Sequence, residues 1–302
     1  MKVCVLDLGG TFIKAAMMDE TAQIWGRWKT PSPTKDWESL AGALDAYIGG
    51  HLDEAEGIAI SMPGRIDREK GIAHTGGTFQ FIRDLPVKSI LEEKYQLPVS
   101  VDNDGKCAAS AENWLGALKD VANGLVYVIG TGVGGGIILN HQVVRGGHFA
   151  AGELSFPMVD MAGGTTFVNS AAAHLGIGAL LHSYQKQTGC PEEIDGVEFF
   201  RRAQEKEQAA LEVLHRFCRM TANYIYMLQA VLDVERVAVG GGISAQPLLF
   251  DVLNEELDRV FGGWDFPVAS IRPQLVPCRY GNDANLIGAL KNFLDQRYQE
   301  RY

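Results

Sequence analysis

Two short glycine runs carry most of the chemistry that can be read from this chain. In residues 125–140, LVYVIGTGVGGGIILN, an apolar run of strand type ends in Thr131 among Gly130, Gly132, Gly134, Gly135 and Gly136. The β-branched residues Ile137 and Ile138 follow with no helix between, which predicts a β-hairpin with a glycine-lined tip. Glycine takes positive φ freely and has no side chain, so such a tip can bring backbone N–H groups up to an anion, with phosphate the obvious ligand. A plain glycine turn without a ligand is the other reading of this stretch taken alone. Gly130, Gly132 and Gly135 also satisfy G-x-G-x-x-G, but the dinucleotide motif needs a helix opening inside it, and here a strand continues.

Residues 1–19 repeat the pattern: an apolar strand to Leu8, the turn Gly9-Gly10-Thr11, a second apolar strand from Phe12, and a polar stop at Asp19. Two copies about 120 residues apart imply two related α/β halves, each opening with a hairpin aimed at a shared cleft. Only the first copy is charged, with Asp7 at the strand end and Lys14 beyond the turn. A carboxylate beside phosphates is repulsive unless a divalent cation lies between them, so Asp7 reads as a partner of hydrated Mg²⁺. A turn-forming Asp before two glycines is the alternative.

Positioning these turns requires a regular alternation of elements. A third strand is expected over residues 23–29, leading to Thr30-Pro31-Ser32-Pro33. Trp37, Leu40, Ala41, Leu44, Tyr47 and Ile48 predict a helix over 37–52. Residues 57–61 read as a short buried strand running into Pro63-Gly64, and residues 98–101 as another, ending in Asp102-Asn103-Asp104 before a helix-like run. Strand, acidic corner, then helix is where an open α/β sheet carries its functional residues. Asp104 is equally a candidate cap for the helix that follows. Further on, helix formers spaced for one apolar face fill 199–229, a strand at 234–239 enters Gly240-Gly241-Gly242-Ile243-Ser244, and a last helix covers 282–299. Consecutive glycines after a strand let backbone approach a flat base or a ribose closely.

Bulk properties exclude several classes. With 302 residues, 46% of them hydrophobic, the chain can bury a core in two lobes. A net charge of −10 without a Lys/Arg cluster argues against nucleic acid as a partner. No apolar run is long enough to span a bilayer and no signal peptide is read, so no membrane partner is expected. Cys4, Cys107, Cys190, Cys218 and Cys278 are odd in number and far apart, which points to reduced thiols. His148, His174, His182 and His215 show no spacing that demands a metal.

Asp7-Leu8-Gly9-Gly10-Thr11-Phe12-Ile13-Lys14 resembles the D-x-G-G-T-x-x-K motif of the ROK family of sugar kinases, within the actin/hexokinase superfamily. Gly130-Thr131-Gly132-Val133-Gly134-Gly135-Gly136 resembles that family's second phosphate segment, and Gly240-Gly241-Gly242-Ile243-Ser244 its adenosine segment. The resemblance implies a two-lobed α/β fold, a duplicated RNase H-like ATPase fold with an interlobe cleft. The N-terminal lobe would span 1–118, with a C-terminal helix, 283–302, packing back on it, and the C-terminal lobe would span 119–282. It implies ATP and Mg²⁺ as cofactors, the metal held by Asp7 through water. Gly9, Gly10, Thr11, Lys14, Gly130, Thr131, Gly132, Gly134, Gly241 and Gly242 would surround the nucleotide. Asp104 aligns with the family's catalytic aspartate, the general base toward a hexose hydroxyl, by implication the 6-hydroxyl. Asn103, Glu153 and Gly64 would contact the sugar. A cytoplasmic homodimer is the family expectation.

The chain also departs from the pattern. His74-Thr75-Gly76-Gly77-Thr78-Phe79-Gln80-Phe81 stands where the family offers an asparagine to the sugar, leaving Thr78 or Gln80 as substitutes. The family's G-E-x-G-H becomes Gly152-Glu153-Leu154-Ser155-Phe156, and its cysteine-rich zinc loop is replaced by a cysteine-free run from Val159 to Ser170. No zinc is expected there. The resemblance is therefore to the zinc-less branch, which includes kinases of β-glucosides and of other hexoses. A catalytically weakened sugar-sensing or interaction protein on the same fold is the alternative function.

Overall fold

The computed structural model describes residues 1–189 and 192–299. Cys190 and the last residues of the expected C-terminal helix, 300–302, lie outside the described residues. The chain packs as two compact units: Met1–Leu115 with Gln142–Gly152 and Asn282–Tyr302, and Gly116–His141 with Glu153–Gly281.

The first unit opens with β1 (Lys2–Leu8), β2 (Phe12–Asp19) and β3 (Ile24–Pro31), followed by α1 (Trp37–Ile48) and β4 (Ile58–Met62). Three short strands, β5 (Ile66–Asp67), β6 (Ile72–Thr75) and β7 (Arg83–Leu85), form a small antiparallel sheet of their own. Then come α2 (Val87–Tyr95), β8 (Val99–Asn103) and α3 (Asp104–Trp114). The main sheet has the order β3-β2-β1-β4-β8, with β1, β4 and β8 parallel. Continuous apolar runs suit strands covered on both faces. Cys4, Leu6 and Leu8 share a core with Leu40, Leu44 and Ile48 of α1 and Leu91 of α2. Each such side chain taken out of water stabilises the fold by about 1.5–3 kcal/mol.

The second unit holds β9 (Gly124–Ile129) and β10 (Val133–Leu139), after which β11 (Gln142–Val143) begins the segment that groups with the first unit. It continues with α4 (Ala171–Leu175), α5 (Ile177–Thr188), α6 (Gly196–Gln204), α7 (Gln208–Leu232), β12 (Arg236–Gly241), α8 (Pro247–Gly262) and β13 (Gln274–Pro277). The strand order β10-β9-β12-β13 matches β2-β1-β4-β8 of the first unit, so the repeated hairpin marks a repeated half. Leu125, Tyr127 and Ile129 of β9 pack with Val213, Leu214, Phe217 and Ile225 of α7.

The last helix, α9 (Ala284–Gln299), belongs to the first unit and lies against β1, β4, β8 and α3. Its closest approach is backbone to backbone, since a Cβ on Gly288 would fall 1.8 Å from the Cys107 carbonyl oxygen. Three expectations are corrected. The helix predicted to reach 52 stops at Ile48, where Gly49 and Gly50 favour leaving the helix. The apolar run 199–229 is two helices, broken around Lys206 at φ 63°, and no Gly or Pro advertised the break. Residues 142–152, read as part of the second lobe, pack with the first unit.

Candidate active site

Three parallel strand ends gather polar groups in the first unit. In register, Asp7 of β1 stands beside Ser61 of β4, and Ser61 beside Asp102 of β8. On the antiparallel side Asp7 faces Lys14 of β2. The Gly9-Gly10-Thr11 turn between them is closed by the Gly9 N–H donating to the Phe12 carbonyl at 3.1 Å. A Cβ on Gly10 would lie 2.9 Å from the Thr78 side chain, so Thr78 sits on this turn, while Gln80 is exposed.

Asp7 is only 4% exposed. Its Oδ1 accepts hydrogen bonds from the Ser61 hydroxyl and the Asn285 amide, both at 3.0 Å, and its Oδ2 lies 3.7 Å from Lys14 Nζ. Lys14 also donates to the Asn282 carbonyl at 3.4 Å. Burial holds the Asp7 carboxyl above its ordinary range, with Asn285, Lys14 and Ser61 pulling it down. Sequence reasoning missed Ser61 and Asn285, because only the sheet register and the packing of α9 bring them here.

At the end of β8, Asn103 is the cap of α3: it sits in extended backbone and its side chain accepts from the Lys106 N–H at 3.1 Å. The cap role thus falls to Asn103, not to Asp104, which is the first residue of the helix. Asp104 Oδ1 accepts from the Asn103 amide at 2.9 Å and from the Gly105 N–H at 2.8 Å, which fixes the carboxylate plane. The same Asn103 amide donates to the Gly64 carbonyl at 2.9 Å. Asp7 with Lys14, and Asn103 with Asp104 and Gly64, therefore form two linked groups within the first unit. Behind them Asp102, fully buried, accepts from the Asn103 N–H at 2.9 Å and pairs with the Arg145 guanidinium at 2.5 Å. Arg145 carried no functional signal in the sequence.

In the second unit the predicted hairpin forms, with Val133 opposite Ile129 and the Gly130 N–H bonded across the tip to the Gly132 carbonyl at 3.0 Å. Thr131 and Gly134 are exposed. The parallel neighbour β12 puts Gly241 in register with Ile129, so the two glycine segments adjoin. Gly241 has φ 100°, and a Cβ there would lie 2.0 Å from the Ile129 carbonyl oxygen, a conformation and an approach open only to glycine. Gly242 faces open space. A tight turn over Gly242–Ala245 precedes α8. One feature was not foreseen: α5 starts at the hairpin tip, the Ile177 N–H donating to the Gly130 carbonyl at 2.9 Å. A helix N-terminus there adds a favourable field for phosphate.

Glu153 is half-buried and opens a turn closed by the Phe156 N–H at 3.2 Å. The next residues fasten it: Ser155 Oγ donates to the Val133 carbonyl at 2.6 Å, and Tyr224 Oη to the Leu154 carbonyl at 2.8 Å. Where the family's zinc loop would stand, Asn169 organises the backbone. Its amide donates to the Gly164 carbonyl and to Thr166 Oγ1, both at 2.9 Å, and its own carbonyl accepts from the Val159 N–H. Among the described residues no group of three or more His, Cys, Asp or Glu is placed to hold a metal ion.

Two duplicated α/β halves, each with a glycine hairpin leading its sheet, define the class as the actin/hexokinase type of fold. The chain belongs to the ROK family, whose model matches residues 3–296. It is 32% identical to a beta-glucoside kinase of Klebsiella pneumoniae over 97% of this chain and 96% of that protein. It is 31% identical to a glucokinase of Halalkalibacterium halodurans over 94% of this chain and 92% of that one. The ROK hexokinase structure from Thermus thermophilus superimposes with a TM-score of 0.81 at 28% identity, over 99% of this chain and 100% of that one.

Proposed function

We propose that this chain transfers the γ-phosphoryl group of ATP to the 6-hydroxyl of a hexose or hexose-containing sugar, with Asp104 as the general base. That it is an ATP-dependent sugar kinase follows from the family and from relatives of nearly full length. The finer assignment rests on one observation above the others: Asn103 caps α3, so its neighbour Asp104 is oriented by two donors without serving as the cap. A carboxylate held in this way can take the hydroxyl proton as that oxygen attacks phosphorus. Asn103, Gly64 and Glu153 would hold the sugar.

The residues present fit Mg²⁺·ATP. A buried carboxylate whose charge is partly offset by Lys14 suits a hydrated divalent cation, so Asp7 would hold the metal through water. The cation neutralises charge on the phosphates when bound. Gly9, Gly10, Thr11 and Lys14 on one hairpin, and Gly130, Thr131, Gly132 and Gly134 on the other, would cradle the phosphates. Gly241, whose φ of 100° and approach to the Ile129 carbonyl admit no side chain, and Gly242, which faces open space, would border the nucleoside. A cytoplasmic homodimer completes the reading, and light scattering reads the assembly directly.

ADP release from Mg²⁺·ATP, measured with glucose, N-acetylmannosamine, mannose, fructose, cellobiose and an aryl β-glucoside, tests this beside Asp104→Asn. Sugar-dependent turnover should fall by about 10²–10⁴-fold in the variant. Turnover unchanged in the variant sinks the proposed base. Silence of the wild type across the panel moves the reading to a sugar-sensing protein.

A further inference from the structure

The turn that opens α9 is fastened to β2 and β3 before the helix begins. Lys14 donates to the Asn282 carbonyl at 3.4 Å, and Arg27 of β3 donates to both oxygens of Asp283, at 2.5 and 3.0 Å. A paired arginine and carboxylate fixes direction as well as distance. Asn285, the second residue of α9, is therefore delivered to one place, and its amide donates to Asp7 Oδ1 at 3.0 Å.

The two oxygens of Asp7 are used differently. Oδ1 takes the Asn285 amide from α9 and the Ser61 hydroxyl from β4, both at 3.0 Å. Oδ2 lies 3.7 Å from Lys14 Nζ, beyond a normal hydrogen bond. Rotation about the Cβ–Cγ bond of an aspartate is soft, so a single donor would leave the carboxylate plane loosely set. The second donor removes that freedom and leaves Oδ2 as the accepting oxygen. Ser61 stands beside Asp7 through the sheet register. Asn285 has no such link and arrives only because α9 docks on β1 and β4.

Resting on the Mg²⁺·ATP reading above, we infer that Asn285 is a positioning residue for the nucleotide's divalent cation, holding Asp7 by Oδ1 so that Oδ2 is kept for the hydrated ion. What matters is the donor. An amide N–H completes Oδ1, whereas an apolar side chain of the same size would fill the space and leave that oxygen to Ser61 alone. Partners that orient a metal-binding side chain in this way typically carry about 10–100-fold in metal affinity or activity.

The test uses the full chain, Asn285→Ala and Asn285→Leu, the second close to asparagine in size but without the donor. The first readout needs no turnover: the melting temperature in ADP is followed as Mg²⁺ is titrated in, and the midpoint of the Mg²⁺-dependent rise is compared. It should move to about 10–100-fold higher Mg²⁺ in both variants, with the rise given by ADP without Mg²⁺ unchanged. Sugar-dependent turnover should show the same split, the apparent KM for Mg²⁺ rising while that for the sugar stays in place. A midpoint unmoved in both variants overturns the inference. So does a midpoint moved in Asn285→Ala and kept in Asn285→Leu, which makes Asn285 a packing residue, or an equal loss of the metal-free ADP response, which makes the effect one of the fold. A wild type with no Mg²⁺-dependent rise overturns the Mg²⁺·ATP reading itself, and the inference with it.

Discussion

Asp7 shows how a buried carboxylate is maintained against its own stability. Its pKa is raised from 3.8 chiefly by burial, against the opposing pull of Asn285, Lys14 and Ser61. A raised native pKa means that the group contributes stability fully below the unfolded value of 3.8, and that this contribution is lost as pH rises through the native value. At neutral pH the ionised group is therefore a net cost in the ligand-free protein. Asp7→Asn should melt at a higher temperature than the wild type at pH 7, should lose that advantage on acidification toward about pH 4, and should lose turnover with Mg²⁺·ATP. Melting curves across pH decide it; a variant less stable at pH 7 would mean that the three donors outweigh burial. Asp7 and Lys14 were legible because they flank one turn. Ser61 and Asn285 were not, being 54 and 278 residues away in sequence.

Between elements, the pair of Asp102 and Arg145 ties residues 142–152 to the corner of β8 and α3 that carries Asn103 and Asp104. Asp102 is fully buried, and removing its partner leaves an uncompensated charge there, which typically costs about 3–5 kcal/mol. Arg145→Met should lose stability on that scale in denaturant unfolding, while Arg145→Met combined with Asp102→Asn should recover most of it. If the double variant is as unstable as the single one, the loss is one of packing and not of charge. Strands and hairpins at this scale were readable from apolar runs and glycine turns. The break between α6 and α7, around Lys206, was not, because no Gly or Pro marks it. Nor was the start of α5 at the second hairpin, which depends on where the chain returns.

Over the whole molecule, two sheets with the same strand order and separate cores follow from a duplicated pattern. Among the described residues no helix is long and apolar enough to cross a membrane. The amino-acid sequence by itself determined the class of fold, both glycine turns, Asp7 with Lys14, and the Asn103-Asp104 corner. These are local patterns, in which strand periodicity and the freedom of glycine act over a few neighbouring residues. Only the tertiary structure decided that Asn103 and not Asp104 caps α3, that Ser61 and Asn285 share Asp7, and that residues 142–152 pack with the first unit. Those outcomes are set by burial, ion pairing and backbone approach between residues distant in the chain, where no local pattern reaches.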